Sequence, residues 1–571
     1  MDSNLLKTKS IEQLVGDVEH GGKSLRRSLS AWDLTLLGIG AIIGTGIFVL
    51  TGTAAANQAG PAIVVSYMAA GLACAFAALC YAEFAAMIPI SGSAYTYAYA
   101  TLGEVVAWMI GWDLILEYAV GSMTVAIGWS GYFQRILAGF GIHLPVWMSA
   151  APAAADGALI NLPAIIIVLL IMVLLVVGVR ESARFNAAMV TIKIAAVLFF
   201  LVVGVGWVNP GNWQPFMPYA WSGVMTGAAV VFFAYIGFDA VSTTAEEAKN
   251  PRRDLPIGII ASLIICTILY VAVAAVLTGI IPVVQYKDDP QFLNAPVGYA
   301  LSVINQDWAA GLVSAGAVAG ITSVLLVMLM AQPRIFFAMS RDRLLPQGVS
   351  KVHPRFQTPY ITTIITCVVV AIAAGLIPIQ VVGEMTSIGT LFAFVVVSAA
   401  VMVLRVKRPD ADRPFKVAGG PIIPVLGVLS CLYLMVSLSV MTWVRFLVWL
   451  DIGMLIYWFY GRTHSPLADR AEAALRSGGE SFANLLKITG CLLIFNGGAI
   501  LLLALLTEWN VTNEALAKWS ELDALISRVG MHVTPEIADQ LGLNILGIGV
   551  AIVAVGWALG RATGKPQAAI R

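Results

Sequence analysis

Apolar runs of about twenty residues recur along the chain, and they decide its fold class before any motif is read. Their approximate limits are 32–57, 60–88, 102–130, 161–179, 185–207, 222–245, 256–280, 310–334, 359–376, 383–404, 421–441, 443–460, 487–507 and 543–561. A bilayer core about 30 Å thick takes ~20 residues of helix, whereas barrel strands are about 9–11 residues long and alternate. Lipid offers no hydrogen bonds, so a run of this length must satisfy its own backbone as a helix. With 59% hydrophobic and 11% charged residues, against about 45–50% and about 25% in soluble domains, the chain is expected to be an all-α polytopic membrane protein of about 14 transmembrane helices.

Charge gives the orientation. With the N-terminus placed in the cytoplasm and the spans alternating, 27 of the 33 Lys and Arg residues fall on the inner side. Five (Arg135, Lys287, Arg445, Lys518, Arg528) fall on the outer side, and Lys193 lies inside the fifth span. This asymmetry follows the positive-inside rule and puts both termini in the cytoplasm. The expected parts are a cytoplasmic tail (1–31), a ten-helix body (32–404), helices 11 and 12 (405–460), a cytoplasmic linker (461–486), and helices 13 and 14 with an acidic outer loop and short tail (487–571). The polar first thirty residues read as no cleavable signal, and the inner membrane of a bacterium is the expected location. There the Asn510-Val-Thr512 sequon is a chance match.

The six cysteines sit in apolar runs with no CxxC pair, and the five histidines lack metal-ligand spacing. No cofactor, metal or catalytic centre is expected from them. A net charge of +1 gives no reason to expect nucleic acid. The sequence leaves the oligomeric state open, with a monomer sufficient.

The first span is unusual. "LTLLGIGAIIGTGIFVL" (34–50) carries Gly38, Gly40, Gly44 and Gly46, with Thr45 between the last two. Small residues allow close helix packing, which among Gly38, Gly40 and Gly44 accounts for about two. Gly44-Thr45-Gly46 near mid-span is a poor helix former. An unwound turn there would leave a half-helix N-terminus with free N–H groups and partial positive charge, suited to a carboxylate. Five spans later "VVFFAYIGFDAVSTTAEEAKNP" (230–251) carries Gly237 and Asp239 in its middle. Interrupted spans at matching places in two five-helix halves point to an inverted-repeat transporter with substrate between the breaks.

These stretches, together with "AEEAKNPRRDLPIGI", "RIFFAMSRDRLLP" and "YAEFAAMIPISGSAYTYAYATLGE", resemble the amino acid–polyamine–organocation superfamily and its cationic amino acid transporter branch over about residues 30–460. The resemblance implies a leucine-transporter-like fold of 5+5 inverted repeats plus four extra helices, and an amino-acid substrate. It implies that the Gly44, Thr45 and Gly46 amides, with Ile43 beside them, hold the substrate carboxylate. The carbonyls of Phe233, Ala234 and Ile236 would receive its amino group.

Buried charges suggest the coupling. Lys193 lies about eight residues, or ~12 Å, into the fifth span, where a lysine costs about 2.5–3.5 kcal/mol unless it snorkels or faces a polar interior. Burial disfavours its charged form, as a proton site requires. Resemblance to proton-coupled members suggests that its ammonium stands near Thr322 and Ser323, where sodium-coupled relatives hold a metal ion. Glu117, one turn beyond Asp113 on the same face, is expected beside the substrate or in proton handling. Animal relatives often lack that carboxylate, so a strict preference for lysine or arginine does not follow. Asp239 is expected to line the pocket or to hold the broken helix. Glu83, with Glu246 and Glu247, is expected to brace cytoplasmic gates through arginines such as Arg334 or Arg341. No role follows from the sequence for Asp451.

The leading expectation is a secondary active amino-acid transporter working by alternating access with protons as partners. Alternatives are an amino-acid exchanger, a polyamine or organic-cation carrier, and an amino-acid sensor built on the same fold. No convergent nucleophile, base or metal set points to an enzyme.

Overall fold

The computed structural model describes residue 8 and residues 29–465, apart from 89–92, 153, 155, 178–181, 347 and 349–358. The expected helices 13 and 14, most of the linker and the sequon lie outside the described residues. Within them the chain is helical, with no strand and only an isolated bridge between Leu29 and Ala248. Eight helical segments are long and apolar enough to cross a membrane, and four further apolar helices are shorter.

The first compact unit comprises the chain up to Arg341 together with 346–438. It opens with α1 (Ala31–Ile42), started by a capping box in which the Ser30 side chain accepts from Asp33 N–H and Asp33 accepts from Ser30 N–H at 2.9 Å. Such caps contribute about 0.5–2 kcal/mol. After a break at 43–45 the chain continues through a π-turn (Gly46–Leu50), an α-helical turn (Thr51–Ala54) and a second π-turn (Ala55–Ala59).

The helices that follow are α2 (Ile63–Met87), α3 (Ser93–Thr101), α4 (Glu104–Gly139), α5 (Leu162–Val177), α6 (Ser182–Gly204) and α7 (Ala220–Val231). A second break leads into α8 (Pro251–Ile280), then α9 (Asp307–Arg341), α10 (Tyr360–Leu376), α11 (Ile379–Lys407) and α12 (Ile422–Val436). Pro251 opens α8 at its first position, where a missing N–H costs nothing.

Small residues set how these helices meet. A Cβ on Gly38 would meet Ser262 Oγ at 2.5 Å, and one on Gly258 would meet Leu34 Cβ at 2.8 Å, so α1 and α8 approach nearly backbone to backbone. The long α4 packs along α9 and α11. Cys74, Cys80, Cys266, Cys367 and Cys431 are buried free thiols. The segment after the second span contains α3, whose Tyr95, Tyr97 and Tyr99 are buried.

The second unit, described by itself, holds α13 (Val440–Ile456) and a π-turn (Tyr457–Gly461) leading to His464. The His464 ring stacks on Tyr460 with centroids 4.1 Å apart. Asp451 lies in α13, partly buried.

Candidate functional site

The first break follows from glycine. α1 stops at Ile43, whose ψ of 104° is extended, and helical geometry resumes at Thr45. The first backbone bond of the second half runs from Phe48 N–H to Gly44 C=O at 3.4 Å. The amides before it head a new helix and have no intrahelical partner. Thr45 is buried, and its hydroxyl makes no hydrogen bond among the described residues. A π-turn directly after the break is a geometry often found at functional sites.

The second break sits against the first. α7 runs into a 3-10 turn (Phe232–Tyr235), Ile236 is extended at ψ 134°, and Gly237 takes φ +119°, a region that only glycine adopts freely. A Cβ on Gly237 would lie 2.9 Å from the carbonyl carbon of Ala41, and one on Gly46 would lie 2.4 Å from Ala234 Cα. Asp239 accepts from Gly237 N–H at 3.2 Å, so it holds the turned backbone. A run of 3-10 turns (Asp239–Glu247) completes the crossing.

Tyrosines join the two breaks. The Tyr270 hydroxyl is within donating distance of Ala234 C=O (2.7 Å) and Ile42 C=O (3.0 Å), one carbonyl from each break. The Tyr67 hydroxyl reaches Gly46 C=O at 3.2 Å and the Thr51 hydroxyl at 2.6 Å. Tyr235 donates to Tyr67 C=O at 2.8 Å, and Tyr132 to Phe48 C=O at 2.6 Å. The rings of Tyr67, Tyr235 and Tyr270 pack together with centroids 5.2–6.2 Å apart. Reading the sequence for glycines and charges missed all four. The usable signal was tyrosine in the middle of apolar spans, where a buried hydroxyl must find a partner.

Lys193 is fully buried on α6, and its ammonium reaches the end of α1. It donates to Gly40 C=O, to Ile43 C=O at 2.9 Å and to the Ser323 hydroxyl at 3.3 Å. A cation there meets the negative end of the first half-helix. Thr322, grouped with Ser323 in the sequence reading, is not among these partners. Its hydroxyl receives Trp129 Nε1–H at 2.9 Å and donates to Val318 C=O, because neighbouring positions on a helix point about 100° apart. A Cβ on Gly320 would meet Lys193 Cβ at 2.7 Å, so α6 and α9 touch beneath the ammonium.

The structure gives each buried carboxylate its neighbours, and the partners of Glu83 differ from the sequence reading. Thr45 rests on Gly128 of α4, where an added Cβ would meet Thr45 Cγ2 at 2.4 Å. Glu117 stands eleven positions earlier, or about 16 Å along the helix, so it is not beside the amides of 44–46. Its electrostatic neighbours are Asp239 and Asp113, and the Thr390 hydroxyl lies beside it. Glu83 does not use Arg334 or Arg341. It forms an ion pair with Arg405, whose Nε donates to Oε1 at 3.0 Å, and Arg413 Nε lies 3.6 Å from the same oxygen. It also accepts Val417 N–H at 2.9 Å. The partners lie over 300 positions along the chain, beyond the reach of local pattern. The side chains of Glu246 and Glu247 lie outside the described residues.

Comparison with known proteins agrees with this architecture. The amino acid permease family matches residues 29–459. The branched-chain amino acid permease BcaP of Bacillus subtilis (strain 168) is 54% identical over 469 residues, 82% of this chain and 100% of that protein. The methylthioribose transporter of the same organism is 51% identical, covering 81% of this chain and 99% of its own. Cationic amino acid transporter 4, vacuolar, of Arabidopsis thaliana is 32% identical, covering 81% and 96%. The chain belongs to the amino acid permease family, within the amino acid–polyamine–organocation superfamily of membrane transporters.

Proposed function

We propose that the protein is a proton-coupled secondary transporter of neutral amino acids, with a 5+5 inverted-repeat core, about fourteen helices in all and cytoplasmic termini. The contact between the two breaks carries the reading: Gly46 lies against Ala234, and Tyr270 reaches a carbonyl of each. Two opposed helix interruptions supply N–H donors from one side and C=O acceptors from the other, the complement of an α-amino acid. The Gly44, Thr45 and Gly46 amides take the carboxylate, and the Phe233, Ala234 and Ile236 carbonyls take the ammonium. The Thr45 hydroxyl is a further donor at the same rim.

A neutral substrate follows from the placement of charge. Glu117 is far along α4 from Thr45, and the residues flanking the breaks (Ile43, Phe48, Phe233, Ile236) are buried and apolar. The carboxylate at the second break, Asp239, is engaged by Gly237 N–H, which leaves these apolar residues to meet the substrate side chain. The names of the relatives span a branched-chain amino acid permease, a methylthioribose transporter and a cationic amino acid transporter, so overall identity does not choose the substrate and the pocket must. Lys193 serves as the coupling charge. Protonated, it ties α1 to α6 and α9; deprotonated, it frees α1 to move during alternating access. Asp113, Glu117 and Asp239 form a second proton-carrying group on the inner side.

The test is uptake of radiolabelled amino acids into proteoliposomes with and without an inward proton gradient. Accumulation of a branched-chain or small neutral amino acid driven by the gradient is expected. Uptake that ignores the gradient and requires internal amino acid would make the protein an exchanger instead.

A further inference from the structure

A cavity of about 450 Å³ lies away from the breaks, between the first turns of α8 and the segment linking α11 to α12. Its wall on α8 is formed by Arg252, Arg253, Ile257, Ile260 and Ile264, and the opposite wall by Pro414 and Phe415. Charge and apolar surface are separated along its length. The two arginines stand at the start of α8. Below them the isoleucines form one stripe of α8 that continues past the cavity, Ile257, Ile264 and Ile268 being 40%, 54% and 63% exposed. In a membrane that stripe faces lipid chains.

The facing wall is fixed. Arg413 donates to Pro409 C=O at 3.0 Å, Ala411 C=O at 2.9 Å and Arg408 C=O at 2.8 Å, while Glu83 holds Val417 N–H. Pro414 and Phe415 are therefore pinned on both sides. Arg252 pairs with Asp412 at 3.1 Å, but both side chains are largely exposed, and such a pair is readily exchanged for another anion.

We propose that this groove is a binding site for one anionic phospholipid of the cytoplasmic leaflet. Its phosphate sits on Arg252 and Arg253, and one acyl chain lies along Ile257, Ile260 and Ile264 against Phe415. The sidedness rests on the orientation proposed above. Basic pockets at the cytoplasmic ends of transmembrane helices suit such headgroups, and the apolar stripe supplies what a soluble anion would not use.

The full-length protein, purified in detergent and incubated with equal phosphatidylglycerol and phosphatidylcholine, is assayed for co-purifying lipid by mass spectrometry. Wild type should retain phosphatidylglycerol preferentially. Arg252→Ala/Arg253→Ala should cut that preference by about fivefold per arginine, and Ile260→Trp should lower retention of both lipids. Equal retention of the two lipids by wild type, or an unchanged preference in the double variant, overturns the proposal. So does full displacement of phosphatidylglycerol by inorganic phosphate, which would mean an anion site with no role for the groove. Should the double variant not remain monodisperse, Arg253→Gln carries the same comparison. Because lipid retention is read without substrate, failure here leaves the transport reading untouched, and loss of transport leaves this site untouched.

Discussion

A Cβ placed on Gly46 would lie 2.4 Å from both Cα and Cβ of Ala234. The two interrupted helices thus meet with only the Ala234 methyl and backbone at the contact. Ala234 presents backbone at the contact and cannot rotate away, so even one methyl must push the breaks apart. Overpacking of this kind costs about 1–3 kcal/mol. Gly46→Ala is expected to lower amino-acid uptake at least tenfold, through a higher KM as well as a lower rate. Gly139→Ala, where nothing lies within 4 Å of the added carbon, should stay within twofold of wild type. Equal behaviour of the two variants would remove the contact from the mechanism.

Lys193 joins three helices through one ammonium, on Gly40, Ile43 and Ser323. Lys193→Met keeps most of the volume and removes the donors and the charge. Gradient-driven accumulation should fall at least tenfold, while exchange of internal for external amino acid continues at a measurable rate. A purely structural lysine would lose both together, or neither.

Much of this was legible in the sequence, for reasons that differ by feature. The glycines around Thr45 and Gly237 mark places where an apolar helix cannot continue cheaply, which is a local property. Lys193 is conspicuous because charge is rare at that depth. The Tyr270 bridge and the Glu83–Arg405 pair were not legible. Each depends on which distant helix lies opposite, and periodicity within one helix carries no such information. Glu117 shows the intermediate case: its depth in α4 was readable, but its neighbour Asp239 and its distance from Thr45 depended on how α4 lies against the broken helices.

Tyr270 supplies a single hydroxyl to carbonyls of both breaks. Tyr270→Phe keeps the ring packing against Tyr67 and Tyr235 and deletes only that donor. The expected loss of stability is modest, about 0.5–1.5 kcal/mol, read as a small fall in melting temperature in detergent. The larger effect should be on substrate, with KM rising severalfold as the carbonyl of Ala234 loses its fixed orientation. An unchanged KM would show that the breaks keep their register without the bridge.

Glu83 is 2% exposed and receives Arg405, Arg413 and Val417 N–H together. Removing its charge leaves two guanidinium groups partly buried without their counter-ion, a change that typically costs about 3–5 kcal/mol. Glu83→Gln should lower the melting temperature clearly, whereas Arg341→Ala, on the exposed end of α9, should not. A fall of similar size in both would restore the pairing expected from sequence alone.

A variant at Glu117 tests recognition against coupling. It lies about 16 Å along α4 from Gly128, the residue under Thr45, and within reach of Asp113 and Asp239. Three carboxyl groups gathered in an apolar interior repel one another when ionised, and loading a proton relieves that repulsion. Glu117→Gln keeps the shape and fixes the group in an uncharged form. If the cluster handles protons, KM for a neutral amino acid should stay within about threefold of wild type while the pH dependence of uptake flattens. A large rise in KM with an unaltered pH profile would instead put Glu117 at the substrate, and with it reopen a cationic side chain as the ligand.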